Sequence, residues 1–328
     1  MIILRTLQIS FAAFGLLVSA VWARLRPRAA LDLPRRVRRT LERLGPTFVK
    51  LGQALSQRRD LLSPVWIAEL GRLQAGARPF SAEAAVAVIE AALGQRPNML
   101  FLDFDPAPLA AASVAQVHGA RLQDGRAVVV KVLRPGVRSQ IDRDMRIVLA
   151  VAWLGTVLIP SLRRRRVVLL AREIWRNLRR ETDLEEEARN VRRFARAFHD
   201  SATVFIPDVI EGLSAPTVLV QQMSHGRDIS DPALGGKAQA LARIFVNFYL
   251  EQLFRLGVFH ADPHPGNIFV LEDGRLCFHD FGAVGVLDSA SRRALIDFVQ
   301  AFAAQDPDWL ADAAGDLGLL RPGVDRMA

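Results

Sequence analysis

An aspartate five positions before an asparagine, Asp262 to Asn267, with Asp280-Phe281-Gly282 thirteen residues further on, constrains this chain more than any other feature. Two apolar runs, Asn267–Leu271 and Leu276–Asp280, flank Glu272-Asp273-Gly274 and read as a β-hairpin, so Asp280 stands across a turn from Asn267. Carboxylate and amide oxygens are hard ligands of the kind Mg²⁺ takes. Upstream, Val128-Val129-Val130-Lys131 sets a lysine on a β-branched run that reads as a strand.

Phosphoryl transfer needs phosphates held, divalent metal coordinated and a carboxylate near the accepting oxygen, with little covalent help. The run Phe259-His260-Ala261-Asp262-Pro263-His264-Pro265-Gly266-Asn267 has the D-x-x-x-x-N spacing of the kinase catalytic loop. Asp280-Phe281-Gly282 matches the metal-binding D-F-G, and Val129-Val130-Lys131 matches the strand lysine of V-A-I-K. Each motif alone arises often by chance; their order, spacing and strand–turn–strand context together do not. A rival reading gathers His260, Asp262, His264, Cys277 and His279 around a metal, but Pro263 and Pro265 forbid a helical i, i+4 ligand pair. His260 is read as a brace for the loop. No G-x-G-x-x-G precedes Lys131; Leu109-Ala110-Ala111-Ala112-Ser113 stands there, and methyl groups cannot approach a phosphate as glycine does. Ala261 replaces the arginine that usually precedes the catalytic aspartate.

The net charge of +9 comes from arginine, since the only lysines are Lys50, Lys131 and Lys237. Arginines cluster at Arg24–Arg28, Arg35–Arg39 and Arg163–Arg166 with no interleaved aromatic platform and one tyrosine in the chain, which argues against nucleic acid and leaves an anionic membrane surface. The single cysteine, Cys277 in Leu276-Cys277-Phe278, excludes an intramolecular disulfide framework and reads as a buried thiol. Thr6–Ala23 carries no charge, and its 18 residues span roughly 27 Å as a helix, a marginal membrane span. A helix lying on a membrane or docked on the globular body competes with that reading, as does a cleaved signal. Arg24, Arg26 and Arg28 just beyond would hold the downstream residues on the cytoplasmic side. A second apolar run, Ile147–Pro160, is short for a span and reads as a core helix.

Helical periodicity runs from about Arg35 to Gly94, broken at Gly45-Pro46, Ser63-Pro64 and Arg78-Pro79, and Ser81 with Glu83 opens one helix. From Pro108 the pattern turns to strands, Ser113–Leu122 and Arg126–Leu133. Helices resume over 139–196, strands return near Val204–Ile210 and Thr217–Met223, and helices follow at Lys237–Leu256 and Ala290–Ala304. The fold class expected is α+β: a two-lobed, protein-kinase-like fold with a helical N-terminal extension.

The sequence resembles the UbiB family of atypical kinases, also called AarF-domain or ADCK kinases. The marks are Lys50-Leu51-Gly52-Gln53 (K-x-G-Q), the alanine-rich Ala110–Ala112 with Ser113, Glu181-Thr182-Asp183 (E-x-D) followed by Glu187-Ala188, and D-F-G-A at Asp280–Ala283, over roughly Leu31 to Val286. The resemblance implies that Lys50 comes from an extension laid over the active site and pairs with Glu181, obstructing a protein acceptor, with Gly52, Gln53 and Asp183 in the same two motifs. It implies that Lys131 pairs with Glu187 and contacts the ATP phosphates near Ala110–Ser113, that Asn267 and Asp280 hold Mg²⁺, and that Asp262 is the catalytic aspartate. The organisation expected is a candidate membrane helix at 1–23, a basic linker at 24–34, the K-x-G-Q extension at 35–107, an N-lobe with inserted helices at 108–225 and a short C-lobe at 226–328. Relatives commonly carry a carboxyl-terminal membrane segment; here 46 residues follow Gly282 without one, so attachment is expected at the amino terminus, in a truncated or divergent member.

The function expected is that of an ATPase or lipid-directed kinase at the cytoplasmic face of the inner membrane, supporting ubiquinone or isoprenoid-lipid biosynthesis. Its expected partners are an anionic lipid or quinone precursor and quinone-biosynthesis enzymes. A nucleotide-gated docking module without useful hydrolysis and a small-molecule phosphotransferase are the alternatives.

Overall fold

The computed structural model describes residues 2–25, 32–59, 61–73, 78–164 and 166–320. Part of the basic linker and Arg165 lie outside the described residues. The chain forms two compact units, the first Met1–Ala188 with Val209–Met223 and the second Arg189–Asp208 with Ser224–Ala328.

In the first unit the helices α1 (Ile2–Leu25), α2 (Leu33–Leu44), α3 (Pro46–Ser56), α4 (Pro64–Leu70), α5 (Ala82–Leu93) and α6 (Pro97–Leu100) precede a sheet. Proline opens α3, α4 and α6, where its missing N–H costs nothing. Between α2 and α3 the chain needs a left-handed bend, and Gly45 takes it at φ 96°. Ser81 caps α5 by accepting from the Ala84 amide at 3.3 Å.

Strands β1 (Phe101–Ala111), β2 (Ala115–Leu122) and β3 (Ala127–Leu133) are antiparallel neighbours. After α7 (Val137–Leu158), α8 (Pro160–Arg164), α9 (Val167–Glu181) and α10 (Leu184–Ala197), the chain passes through β4 (Val204–Phe205) of the other unit and returns with β5 (Val218–Gln222) beside β3. Val128, Val130 and Val132 face a core shared with Ile89, Phe101, Val218 and Val220. Period-two alternation therefore turns Lys131 to the opposite face.

Two sequence expectations change here. The sheet begins at Phe101, inside the stretch read as helical to 107. Pro106 and Pro108, with shifted register between Phe104, Pro108 and Ala110, blur the alternation that marks a strand. The run Ile147–Pro160 is not a core helix: Ile147 and Val148 pack inward, whereas Val151, Trp153, Leu154, Val157 and Leu158 are exposed. Among the described residues no helix is long and apolar enough to cross a membrane. In α1, Ile9 is buried against Leu44 and Phe48.

The second unit holds the end of α10, then β4, β6 (Gly226–Asp228), α11 (Ala238–Leu250) continuing as a π-helical turn through Leu256, β7 (Val258–His260), β8 (Ile268–Leu271), β9 (Leu276–Phe278) and β10 (Val284–Val286). Two helices close it, α12 (Ser289–Ala304) and α13 (Pro307–Asp316); the sequence reading stopped at the first. One sheet runs β4-β9-β8-β6, and β7 pairs with β10. Cys277 is fully buried in β9, and that burial pushes its thiol up to about 11.

Candidate functional site

In the first unit Lys131 of β3 reaches Glu187 of α10, with Nζ 2.7 and 2.8 Å from its two carboxylate oxygens. Glu187 is only 2% exposed, so the pair is a charge contact in a poorly hydrated place. Asp183 explains how Glu187 is presented: its carboxylate accepts from the Glu185 and Glu186 amides, both at 3.2 Å, capping the helix one turn before Glu187. The Arg138 guanidinium lies 3.5 Å from the same carboxylate and donates to the Thr182 carbonyl at 2.6 Å. Asp183 thus holds the α9–α10 junction, a role that the E-x-D pattern alone does not disclose.

At the other end of that junction Glu181 lies 2.7 Å from Lys50 Nζ of α3, an ion pair without hydrogen-bond alignment. Both side chains are about a quarter to a third exposed, and solvent screens the attraction accordingly. The rest of K-x-G-Q fixes α3. Gln53 donates to the Leu73 carbonyl at 2.8 Å, and Gly52 lets Leu73 and Leu41 close in, since a Cβ there would sit 2.3 and 2.8 Å from their methyl carbons. Leu73 is itself buried and cannot swing away. Gly52→Ala is therefore expected to lower stability by about 1–3 kcal/mol, from the overpacking it forces, and denaturant unfolding of the variant beside the native chain measures it.

Ala110 to Ser113 form the turn from β1 into β2, closed by a hydrogen bond from the Ala112 amide to the Ala115 carbonyl at 2.8 Å. Ser113 Oγ is buried and has no hydrogen-bond partner among the described residues. A buried hydroxyl in that state costs free energy until an acceptor or donor arrives.

In the second unit the hairpin β8–β9 does what its spacing suggested. Ile268 pairs with Phe278, and one step beyond, the His279 amide donates to the Asn267 carbonyl at 2.8 Å. Asn267 and Asp280 therefore leave the same end of the ladder. Asp262 and Asp280 are exposed and Asn267 is partly so. Asp280 adopts a left-handed backbone, φ 55°, and accepts from the Gly282 amide at 3.2 Å.

His260 is buried and braces both segments. Its Nδ1 accepts from the Asp262 amide and its Nε2 donates to the His279 carbonyl, both at 3.2 Å, so the ring is neutral with its proton on Nε2. Phe281 is fully buried, 4.8 Å centroid to centroid from Phe194 and 4.9 Å from His260, and Asn190 donates to its carbonyl at 3.0 Å. Gln252, buried in the π-helical turn, accepts from the His260 amide at 2.8 Å, and the Tyr249 hydroxyl donates to the His260 carbonyl at 3.2 Å. Burial, and then the Asp262 charge, push the Tyr249 phenol well above its ordinary value. Sequence reading passed over Asn190, Tyr249 and Gln252. Gln252, between Leu250 and Leu253–Phe254 in the sequence, was the available signal, since a buried amide needs partners.

A strand lysine on a helix glutamate in one unit, with an Asp–Asn–Asp set braced by a buried histidine in the other, defines a protein-kinase-like architecture. The ABC1 atypical kinase-like domain matches residues 72–314, and the chain belongs to that family, the UbiB family whose motifs it carries. It is 38% identical over 296 residues to the "probable protein kinase UbiB" of Vibrio atlanticus, covering 88% of this chain and 54% of the relative. The "probable protein kinase UbiB" of Cronobacter sakazakii is 38% identical over 305 residues, 90% of this chain and 56% of the relative. The chain thus spans about half the length of the curated relatives it matches. A solved structure, the Rv3197–erythromycin complex from Mycobacterium tuberculosis, is similar with a TM-score of 0.63 and 29% identity, covering 93% of this chain and 77% of that one.

Proposed function

We propose that this chain is an atypical kinase-like ATPase, associated with the cytoplasmic face of the inner membrane, whose turnover supports ubiquinone or related isoprenoid-lipid biosynthesis. The observation that carries the reading is the Lys131–Glu187 pair, at 2.7 and 2.8 Å, in a chain that also keeps Asp262, Asn267 and Asp280. Lys131 is the cation for the α- and β-phosphates, and the orphaned Ser113 hydroxyl beside Ala110–Ala112 suits a phosphate oxygen. The oxygens of Asn267 and Asp280 fit Mg²⁺ as hard, solvent-accessible donors. Bound Mg²⁺ would supply neutralisation of charge developing on the phosphates. Asp262, on a loop held by His260, is the carboxylate that orients the attacking oxygen.

The Lys50–Glu181 contact favours water or a lipid over a protein as acceptor, in keeping with the role the family resemblance gives to K-x-G-Q. The relatives' printed names, probable protein kinases, keep a phosphotransferase as the second reading.

The test is phosphate release from ATP by the chain with Mg²⁺, with excess EDTA, and with Mg²⁺ plus anionic vesicles. Release that needs Mg²⁺ and rises with vesicles supports the reading. Label passing stably from ATP to an added acceptor, without free phosphate, would replace it with a phosphotransferase. Nucleotide binding without either product would leave a docking module.

A further inference from the structure

The first helix carries a feature that the ATP-binding residues do not explain. Leu4, Leu7, Phe11, Phe14, Val18 and Trp22 recur every three or four residues along α1, and all six are exposed, Phe11 by 81%. That spacing is one continuous helical face. A chain that buries Ile9 on the opposite face while leaving two phenylalanines in solvent has an unfilled apolar surface.

The inner face is fastened. Arg5 donates to both carboxylate oxygens of Asp144 on α7, at 2.8 and 2.7 Å, and to the Leu44 carbonyl at 2.7 Å. Asp144 is fully buried, so lifting α1 away would strand a carboxylate in the interior. The helix therefore keeps its outer face turned from the body, and it cannot stand upright in a bilayer without breaking this contact.

Helix α7 also carries exposed apolar residues. Arg5 meets Asp144, and Ala12 of α1 and Ile147 and Val148 of α7 pack on the cluster that holds Ile9. Towards its end α7 exposes Trp153, Leu154 and Leu158. Immediately past it Arg163 and Arg164 are exposed on α8. A shallow cleft of about 210 Å³ opens between α1 and α2, lined by Val18, Ser19, Trp22 and Leu33 with Arg36 among them. Helix α1 itself has no acidic residue. Aliphatic and aromatic side chains bordered by guanidinium groups complement an acyl layer bordered by phosphates.

We infer that the outer face of α1, with the end of α7, is an in-plane docking surface for an anionic lipid bilayer, entered to the depth of the side chains and held flat by the Arg5–Asp144 clasp. This deepens the membrane association proposed above and rests on it, but not on ATP turnover. The apolar stripe supplies the binding and the arginines supply the preference for anionic headgroups.

The experiment is sedimentation of the full chain with vesicles of phosphatidylcholine alone and of phosphatidylcholine with phosphatidylglycerol, without nucleotide. The native chain is expected in the anionic vesicle pellet and not in the neutral one. Phe11→Glu with Phe14→Glu is expected to weaken vesicle binding by at least about tenfold, and Arg163→Glu with Arg164→Glu to erase the preference for anionic vesicles. The four positions are exposed, so melting temperature should hold, and phosphate release without vesicles should match the native chain. Unchanged vesicle binding in the Phe11 and Phe14 variant would overturn the proposal. So would sedimentation velocity showing a stable dimer that this variant dissolves, because a second copy would then be the occupant of the stripe. A chain that binds vesicles through the stripe yet releases no phosphate would leave this surface standing and remove the ATPase.

Discussion

Asp280→Asn is expected to lower Mg²⁺-dependent phosphate release from ATP by about 10²–10³-fold while leaving the folded chain intact. The substitution is nearly isosteric and removes one negative charge from an exposed residue. Asp280 sits at φ 55°, in the left-handed region that asparagine tolerates better than almost any other residue with a side chain. Its Oδ1 accepts from the Gly282 amide at 3.2 Å, and an amide oxygen can accept in its place. The neighbouring hairpin is closed by a backbone bond, the His279 amide on the Asn267 carbonyl. The property that changes is the attraction for a hard divalent cation, which is the quantity the proposed chemistry needs. Asp280→Ala would be a poorer control, because alanine at this φ adds about 1–2 kcal/mol of backbone strain and mixes a folding defect into the kinetics. Phosphate release at saturating Mg²⁺, read beside the thermal midpoint of the same preparation, separates the two effects. Release within twofold of the native chain would remove Asp280 from any metal site.

The chemistry was the most legible part of this sequence because its residues are tied to local structure. Lys131 follows three valines, of which Val128 and Val130 fill the core of the sheet, so one short string tells both strand and direction. Asn267 and Asp280 flank a hairpin whose turn, Glu272-Asp273-Gly274, is visible in the letters. The Lys131–Glu187 and Lys50–Glu181 contacts span the sequence at a distance that no local pattern reaches, and only the family resemblance pointed to them. Apolar runs were less informative. Ile147–Pro160 and the stripe on α1 look like core in composition, yet burial depends on what packs against a face, and a run of letters does not carry that. Strand β1 was hidden because prolines and shifted register break the period-two signal. The Arg5–Asp144 clasp gave one faint sign, a single charge near the start of an otherwise uncharged segment, without naming its partner.

Lys131→Met is expected to cost about 3–5 kcal/mol of stability as well as nucleotide binding, and a second substitution can tell those losses apart. The methionine keeps much of the lysine stem's bulk on β3 but leaves Glu187, 2% exposed, without the ammonium that lies 2.7 Å away in the native chain. An ionised carboxylate in that environment either stays charged at high cost or takes up a proton, and both outcomes weaken the fold. Glu187→Gln in the same chain removes the stranded charge while keeping the size and an oxygen acceptor. The double variant is therefore expected to regain most of the stability lost by Lys131→Met, since replacing both members of a buried ion pair is far less damaging than removing one. It should not regain binding of Mg-ATP, because no cation on β3 remains to meet the phosphates. Urea unfolding and nucleotide titration on the native, single and double variants measure the two quantities independently. Stability and nucleotide binding recovering together in the double variant would mean that Lys131 serves packing alone. Stability returning by itself assigns the lysine to the phosphates and the glutamate to holding it there.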